Sequence, residues 1–179
     1  MNALSPFPAL KSDGPDWDAI CQEVNAWRGA CMHHLSVVEE AVTKTLLALS
    51  EAEGASSKVR LRHLIGQRFE DLEIAIGPEG PFAEIGKTAA RALAQFRTNH
   101  EVFRSQLCHG VAKVAVIRDG SWMLVTRSLS IRMKLREEAV VVIDRKEAFA
   151  RFESLKRDGH SLAAQLGQIR KNSRTSYSR

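Results

Sequence analysis

The sequence predicts a mainly α-helical protein: a four-helix bundle with a small antiparallel β-meander inserted between the third and last helices. Two observations lead to this fold class. Apolar residues recur every three or four positions over four stretches, which is the period of a helix that buries one face. Between about residues 111 and 143 the pattern changes to β-branched and alternating residues, which are typical of strands. Each predicted helix has one apolar stripe, so it needs the other helices to bury that stripe.

The composition is that of a globular protein, since 44% of the 179 residues are hydrophobic and 26% are charged. We expect one domain over residues 16–170, with a flexible lead-in at 1–15 and a basic flexible tail at 171–179. No apolar run is long enough to span a membrane and no secretory signal is visible, so no membrane association is expected. Three cysteines at irregular spacing fit a reducing, cytoplasmic setting.

The net charge of +5 favours an anionic partner, with nucleic acid first among the candidates. The second predicted helix carries Arg60, Arg62, His63 and Arg68 opposite its apolar stripe. This basic face either contacts a phosphate backbone or is simply solvated.

The first two helices are predicted from their stripes and end signals. Asp16 is a good N-cap for the first helix. Its stripe comprises Trp17, Ile20, Val24, Trp27, Cys31, Leu35, Val38, Val42, Leu46 and Leu49. The second helix is predicted from about Lys58 to Ile76, where a Gly-Pro-rich segment ends it. Cys31 and His34 have the spacing to share a metal ion, but no second ligand pair has matching spacing, so no metal is expected.

The third and last helices have clear boundaries in the sequence. The third is predicted from about Phe82 to His109, with Gly110 as a left-handed C-cap. Asp144 and Glu147 form a capping box for the last helix, which is predicted to end near Ile169.

The meander is predicted from four β-type runs. Val111–Ile117 and Trp122–Thr126 are apolar and β-branched, and Asp119-Gly120 between them is a strong hairpin signal. Alternating apolar and basic residues at 131–136 predict a third, half-exposed strand. The short apolar run Val140–Ile143 predicts a fourth.

One segment has a chemical interpretation: Arg104-Ser105-Gln106-Leu107-Cys108-His109-Gly110, at the end of the third predicted helix. Arginine offers a permanent charge and a fork that matches phosphate oxygens. Histidine accepts or donates a proton near neutral pH. Arg104 and His109 therefore suit metal-free attack of an RNA 2′-hydroxyl on the adjacent phosphate, with Arg104 stabilising the charge of the phosphorane.

Three further residues are predicted to support this pair or to bind RNA. Arg97 lies on the same helix flank as Arg104, and His100 lies in the apolar stripe between them. Ser105 is the polar residue that follows Arg104. The spacing of the motif also occurs from Arg28 to His33, but only the later copy ends a helix and precedes a glycine.

A helical bundle whose late helix ends in this way resembles the HEPN family, in which the motif is commonly Arg-Asn-x-x-Ala-His, often followed by Gly. Arg104, His109 and Gly110 match this motif. Ser105 stands where Asn, Asp or His is usual, and Cys108 is a small residue where Ala is common. The resemblance implies a homodimer with the two motifs facing each other across the interface. It also implies, for active members, metal-independent endoribonuclease activity without a cofactor, often in toxin or phage-defence systems.

Two alternatives stay open. In the first, the chain is a non-catalytic dimeric module of the same fold, whose basic surface binds RNA or an acidic regulatory or antitoxin partner. In the second, it is a helical protein in which the motif is accidental. Metal-independent RNA cleavage separates the endoribonuclease hypothesis from the first alternative. Dimerisation that buries the Arg104–His109 helix end separates both from the second alternative.

Overall fold

The computed structural model of the protein describes residues 16–52, 59–132 and 135–175. The elements in chain order are helices α1 (Trp17–Ser50), α2 (Ile65–Ile76) and α3 (Ala83–His109), strands β1 (Val111–Val116), β2 (Trp122–Arg132) and β3 (Leu135–Asp144), and helix α4 (Arg145–Thr175). The predicted fold class is confirmed as four helices with a three-stranded antiparallel sheet between α3 and α4. Of the helices described, none is long and apolar enough to cross a membrane. The predicted lead-in at 1–15 lies outside the described residues.

Helix α1 begins where the sequence predicts. The Asp16 side chain accepts hydrogen bonds from the backbone N–H groups of Asp18 and Ala19, at 3.1 and 3.2 Å. These bonds satisfy two of the N–H groups that a helix start leaves without partners. The predicted stripe is buried from Ile20 to Leu49. The prediction that Trp17 begins the buried stripe is wrong, because 51% of this residue is exposed at the start of the helix.

Helix α2 begins at Ile65, so the predicted start near Lys58 is wrong. Residues 59–64 are not helical, because polar groups of this segment bind elsewhere. The Arg62 backbone N–H and Nε donate to the two carboxylate oxygens of the buried Asp71, at 3.2 and 2.7 Å. Arg68 donates to the backbone carbonyls of Arg62 and His63, at 3.1 and 2.9 Å.

Two of the three arginines of the predicted basic face, Arg62 and Arg68, thus bind the protein itself. Arg62 and His63 precede α2, and Arg68 also donates to Thr43 of α1 at 3.1 Å. Arg62 and Arg68 therefore fasten residues 62–63 to α2, and the idea of a phosphate-binding face on this helix is not supported for either.

The sheet order is β1-β2-β3, with both neighbouring pairs antiparallel. The predicted first hairpin is confirmed. Gly120 takes the left-handed conformation with φ 82°, and the Ser121 N–H donates to Asp119 Oδ1 at 2.9 Å. An Asp-Gly pair suits this turn because Asp bonds the backbone locally and Gly carries no Cβ.

The prediction of a separate strand at 131–136 is wrong. Ile131 belongs to β2 and pairs with Arg136 of β3, so this stretch contains the end of one strand and the start of the next, and residues 133–134 lie outside the described residues. The predicted fourth strand at Val140–Ile143 is the second half of β3. The sequence predicted one strand here because apolar and basic residues alternate without a break over residues 131–136. This stretch also has no Gly, Pro, Asn or Asp to mark a turn.

Helix α4 starts at the predicted cap, where the Glu147 N–H donates to Asp144 Oδ1 at 2.7 Å. It continues to Thr175, past the end predicted near Ile169, and so includes the first part of the predicted tail. Gly159 lies in its buried face, and a Cβ there would be 3.1 Å from Val38 Cγ2. The missing side chain lets α4 approach α1 closely.

The core joins the sheet to the bundle. Helices α2 and α4 each pack against both α1 and α3, while β2 and β3 contact the bundle through Trp122, Leu124 and Ile143, all at most 2% exposed. Trp27 of α1 lies where these parts meet. Its ring centroid is 6.1 Å from that of Phe103 and 6.0 Å from that of Trp122.

Candidate functional site at the end of helix α3

All five predicted site residues lie on α3, but the helix turns them in three directions. Ser105 and His109 are exposed, His100 is buried, and Arg97 and Arg104 are half-buried. Arg104 and His109 are rotated by about 140° from each other on an ideal helix. The structure therefore brings Ser105 and His109 to one surface and turns both arginines towards neighbouring helices.

Arg104 lies at the junction of α1, α2 and α3. Its Nη1 donates to Glu39 Oε1 of α1 at 2.9 Å, and the side chains are only 17% and 28% exposed. Nη2 lies beside Gly66 of α2, where a Cβ would be 3.9 Å away. A residue with a side chain at position 66 would therefore be in van der Waals contact with this guanidinium.

Arg97 is held by two carboxylates. Its Nε donates to Glu101 Oε2 at 3.1 Å, and its Nη1 pairs with Glu73 of α2. Burial works against the charged guanidinium, yet the bond to Glu101 and the fields of the nearby glutamates raise its pKa. Arg97 and Arg104 line a small cleft with Phe69, Phe96 and Glu101. The charge of both arginines is thus balanced within the protein.

His100 belongs to a buried polar cluster. It is 3% exposed, and its Nε2 lies 2.9 Å from Asp158 Oδ2 of α4. Asn99 and Arg157 also donate to Asp158, at 3.2 and 3.1 Å. Burial raises the pKa of the Asp158 carboxyl, but the bonds from His100, Asn99 and Arg157 outweigh it and lower the pKa overall. The structure thus places His100 in the core, away from the surface that Ser105 and His109 share.

His109 ends α3, and within the described part of the chain no hydrogen bond or ion pair reaches its side chain. Gly110 follows it as predicted, but its backbone is extended, with φ −81° and ψ 138°, so the predicted left-handed cap is wrong. Glycine is needed for another reason: a Cβ there would overlap Gln106 O and Thr126 Cγ2. The close approach of Gly110 to β2 therefore fixes where His109 lies.

Cys108 is a poor nucleophile in this setting. Burial raises the pKa of its thiol, Arg104 opposes this, and Glu39 adds to it, with a net upward shift. Its Sγ contacts Met32 Sδ of α1 at 3.9 Å. Cys108 itself is exposed, so this contact lies at the surface between α1 and α3.

Two residues important to this region escaped the sequence analysis: Glu39 and Asp158. Glu39 follows Val38 of the apolar stripe, and an acid beside a stripe is too common to single out. Asp158 gave a better signal, because it lies among the buried positions of α4 between Leu155 and Leu162. A carboxylate in a buried face requires a partner.

The histidines of α1 form a cluster instead of a metal site with Cys31. Cys31 is fully buried, and burial raises the pKa of its thiol to about 12. The His34 ring centroid lies 5.5 Å from that of His33 and 5.4 Å from that of His160 of α4. In the ranges described, no three His, Cys, Asp or Glu side chains are placed to hold a metal ion.

Comparison with known proteins gave no match to this chain among family models, curated proteins or solved structures. The resemblance to the HEPN family therefore rests on Arg104, His109 and Gly110 within a four-helix bundle.

Proposed function

We propose that the chain is an HEPN-like, RNA-acting cytoplasmic protein that cleaves RNA without a metal ion, using Arg104 and His109 in a homodimer. The observation that carries the proposal is the end of α3. There His109 has an exposed imidazole to which no described side chain bonds, five positions after Arg104, and Arg104 lines a small cleft with Arg97. Both groups have the chemistry that cleavage of a phosphodiester needs.

In the proposed reaction the RNA 2′-oxygen attacks the adjacent phosphorus, and the bond from phosphorus to the 5′-oxygen breaks. The products are a 2′,3′-cyclic phosphate and a free 5′-hydroxyl. His109 takes the proton of the 2′-hydroxyl or protonates the leaving 5′-oxygen. Arg104 donates to the phosphoryl oxygens, whose negative charge grows in the transition state.

A second copy of the chain supplies the other proton-transfer group. One motif holds one exposed histidine, whereas the reaction needs a base and an acid. Val102, Ser105 and His109 lie on one line of α3, and Val102 is 69% exposed. This line, which begins with the apolar Val102 and continues with the polar Ser105 and His109, is the face by which we expect α3 to pack against a second copy about a two-fold axis.

A non-catalytic dimeric module is the second candidate, and the carboxylates favour it. Glu39 binds Arg104, and Glu73 and Glu101 bind Arg97, so a phosphate must displace a carboxylate to gain the full charge of either arginine. Ser105, in place of the family's usual Asn, also lacks an amide. In this version the same surface binds RNA or an acidic antitoxin or regulatory protein without cleaving anything.

The test is cleavage of a mixed RNA pool in EDTA by the purified wild type, His109→Ala and Arg104→Lys. We expect the wild type to leave 2′,3′-cyclic phosphate ends. We expect His109→Ala to abolish cleavage and Arg104→Lys, which keeps the charge but not the fork, to slow it by about ten- to a hundredfold.

Two matched variants control for folding and for contaminating nuclease. His63→Ala removes another exposed histidine, and Arg145→Ala removes another arginine that bridges to α1, through Glu23 at 2.7 Å. Both should cleave at the wild-type rate. Equal cleavage in all five proteins rules out the motif as the site, and RNA binding without cleavage selects the non-catalytic module.

A further inference from the structure

Strand β3 forms one edge of the sheet, and its second edge faces no other strand among those described. An edge strand offers a row of free N–H and C=O groups to any other strand. Proteins usually block such an edge with a lysine, a proline or a bulge. Strand β1, at the opposite edge, has Lys113 in its middle.

The second half of β3 has no such protection. Residues 139–143 read Ala-Val-Val-Val-Ile, without a charge, a proline or a glycine. Val140 and Val142 point away from the bundle and are 52% and 50% exposed. A β-branched, uncharged run on a free edge pairs readily with another strand. The fold therefore presents a strand that is suited to having a partner.

We propose that β3 pairs antiparallel with β3 of a second copy of this chain, which makes one six-stranded sheet across a two-fold axis. Charge selects the register. With Val140 on the axis, Arg136 lies opposite Asp144 of the partner subunit, and the symmetry repeats this pair. With Val141 on the axis, Glu138 would lie opposite Asp144 of the partner subunit, and two carboxylates would repel each other.

Within one chain Arg136 is free to make this contact. Its side chain is 72% exposed, and it pairs only loosely with Glu138 at 3.1 Å. All the residues at even positions from 136 to 144 lie on the outward face of β3, because successive side chains alternate. Asp144 of the partner subunit would then join Arg136 and Glu138 in a network of three charges. This network would lie beside the two copies of Val140 at the axis.

This contact does not build the Arg104–His109 site. His109 leads into β1, which is the outermost strand of the six-stranded sheet. Five strand spacings separate the two copies of β1, or about 24 Å. The β3 contact thus adds to the α3 contact proposed above and is independent of it. A chain with both contacts closes into a dimer of dimers if the two two-fold axes cross at right angles and otherwise joins into a longer row of copies, whereas a chain with only the β3 contact forms a dimer.

The test compares Val140→Glu with Val111→Glu by sedimentation of the full chain across a dilution series. Arg127 of β2 pairs with Val111 of β1 on one side and with Val140 of β3 on the other, all on the outward face. Each new carboxylate therefore lies beside the same arginine. Only Val140 lies on the proposed axis, where two carboxylates would meet. We expect Val140→Glu to at least halve the molecular mass and Val111→Glu to leave it unchanged.

Loss of the β3 contact leaves α3-linked dimers if the α3 contact exists and monomers if it does not, so the mass falls in both cases and the two proposals fail separately. Arg136→Glu should also shift the dissociation midpoint to higher concentration. Hydrogen exchange of those amides at 139–143 that point away from β2 should accelerate on dilution. A mass that Val140→Glu leaves unchanged overturns the proposal. So does protection of these edge-facing amides that persists at every dilution, which would mean that another part of the same chain covers the edge.

Discussion

At the scale of single residues, His100 was predicted to support the Arg104–His109 site, but packing pairs it with Asp158 in the core. His100 lies between Arg97 and Arg104 in sequence, yet it is buried against Asp158. Removing one member of a buried polar pair leaves the other without a partner. Asp158→Ala should therefore lower the free energy of unfolding by about 3 kcal/mol. Asp158→Asn, which keeps an acceptor, should lose less.

Urea denaturation followed by circular dichroism measures both changes. His100→Ala should be about as destabilising as Asp158→Ala, and the double variant should cost much less than the sum, because the pair acts as a unit. RNA binding by the folded His100→Ala protein should match that of the wild type. A loss of RNA affinity without a loss of stability would return His100 to the functional site.

The His34 cluster makes stability depend on pH. Burial lowers the pKa of His34 from its usual 6.5, and His160, His33 and Lys156 lower it further, while Glu153 works in the opposite direction. The unfolded chain therefore binds the proton at a higher pH than the folded chain does. The free energy of unfolding should fall as the pH drops through about 6.5 and cease to fall, for this group, below its folded pKa.

Denaturation midpoints between pH 5 and 8 measure this dependence. His34→Gln should flatten it over that range. His63→Gln, at an exposed position that precedes α2, should keep the slope of the wild type. Equal slopes in the wild type and His34→Gln would show that the cluster has no part in the pH response.

At the scale of elements, the sequence predicted those whose signals are local. The Asp16 cap, the Asp119-Gly120 turn and the Asp144 cap each depend on contacts within three residues, and all three are present. The start of α2 was wrong because it depends on Arg62 reaching Asp71 nine residues on. The hairpin of β2 and β3 was missed because apolar and basic residues alternate without a break from the end of β2 to the start of β3.

Gly110 links two elements, and a prediction follows from its contacts. Gly110→Ala would force its Cβ against Thr126 of β2 and the carbonyl of Gln106, so α3 and the sheet must separate slightly. We expect a loss of about 1–3 kcal/mol in the free energy of unfolding. Thr126→Ser, which removes the methyl group, should recover part of this loss. The measurement is thermal or urea unfolding of the single and double variants.

Gly29→Ala is the matched control. Gly29 is an exposed position inside α1, and nothing lies within 4 Å of an added Cβ. This variant should gain about 0.5–1 kcal/mol, because alanine has the higher helix propensity. If both variants lose stability alike, the contact between Gly110 and Thr126 does not explain the result.

At the scale of the whole molecule, contacts between distant parts of the chain determine which side chains surround the motif. Arg104 and His109 lie on one helix and could be found from spacing alone. Glu39, which binds Arg104, is 65 positions away, and no local pattern pairs them. Spacing along the sequence therefore singles out the motif, but it does not predict that Arg104 and Arg97 are bound by carboxylates from α1 and α2.

Trp27 makes the bundle and the sheet one unit, so we expect them to unfold together. Its ring contacts Phe103 of α3 and Trp122 of β2, and its Nε1 donates to the Ala148 carbonyl of α4 at 2.8 Å. In a Trp17→Phe background, fluorescence of the buried tryptophans and helical circular dichroism should give coincident transitions. Trp27→Ala should remove about 3–5 kcal/mol. Fluorescence that changes before the helices melt would mean that the sheet leaves the bundle first.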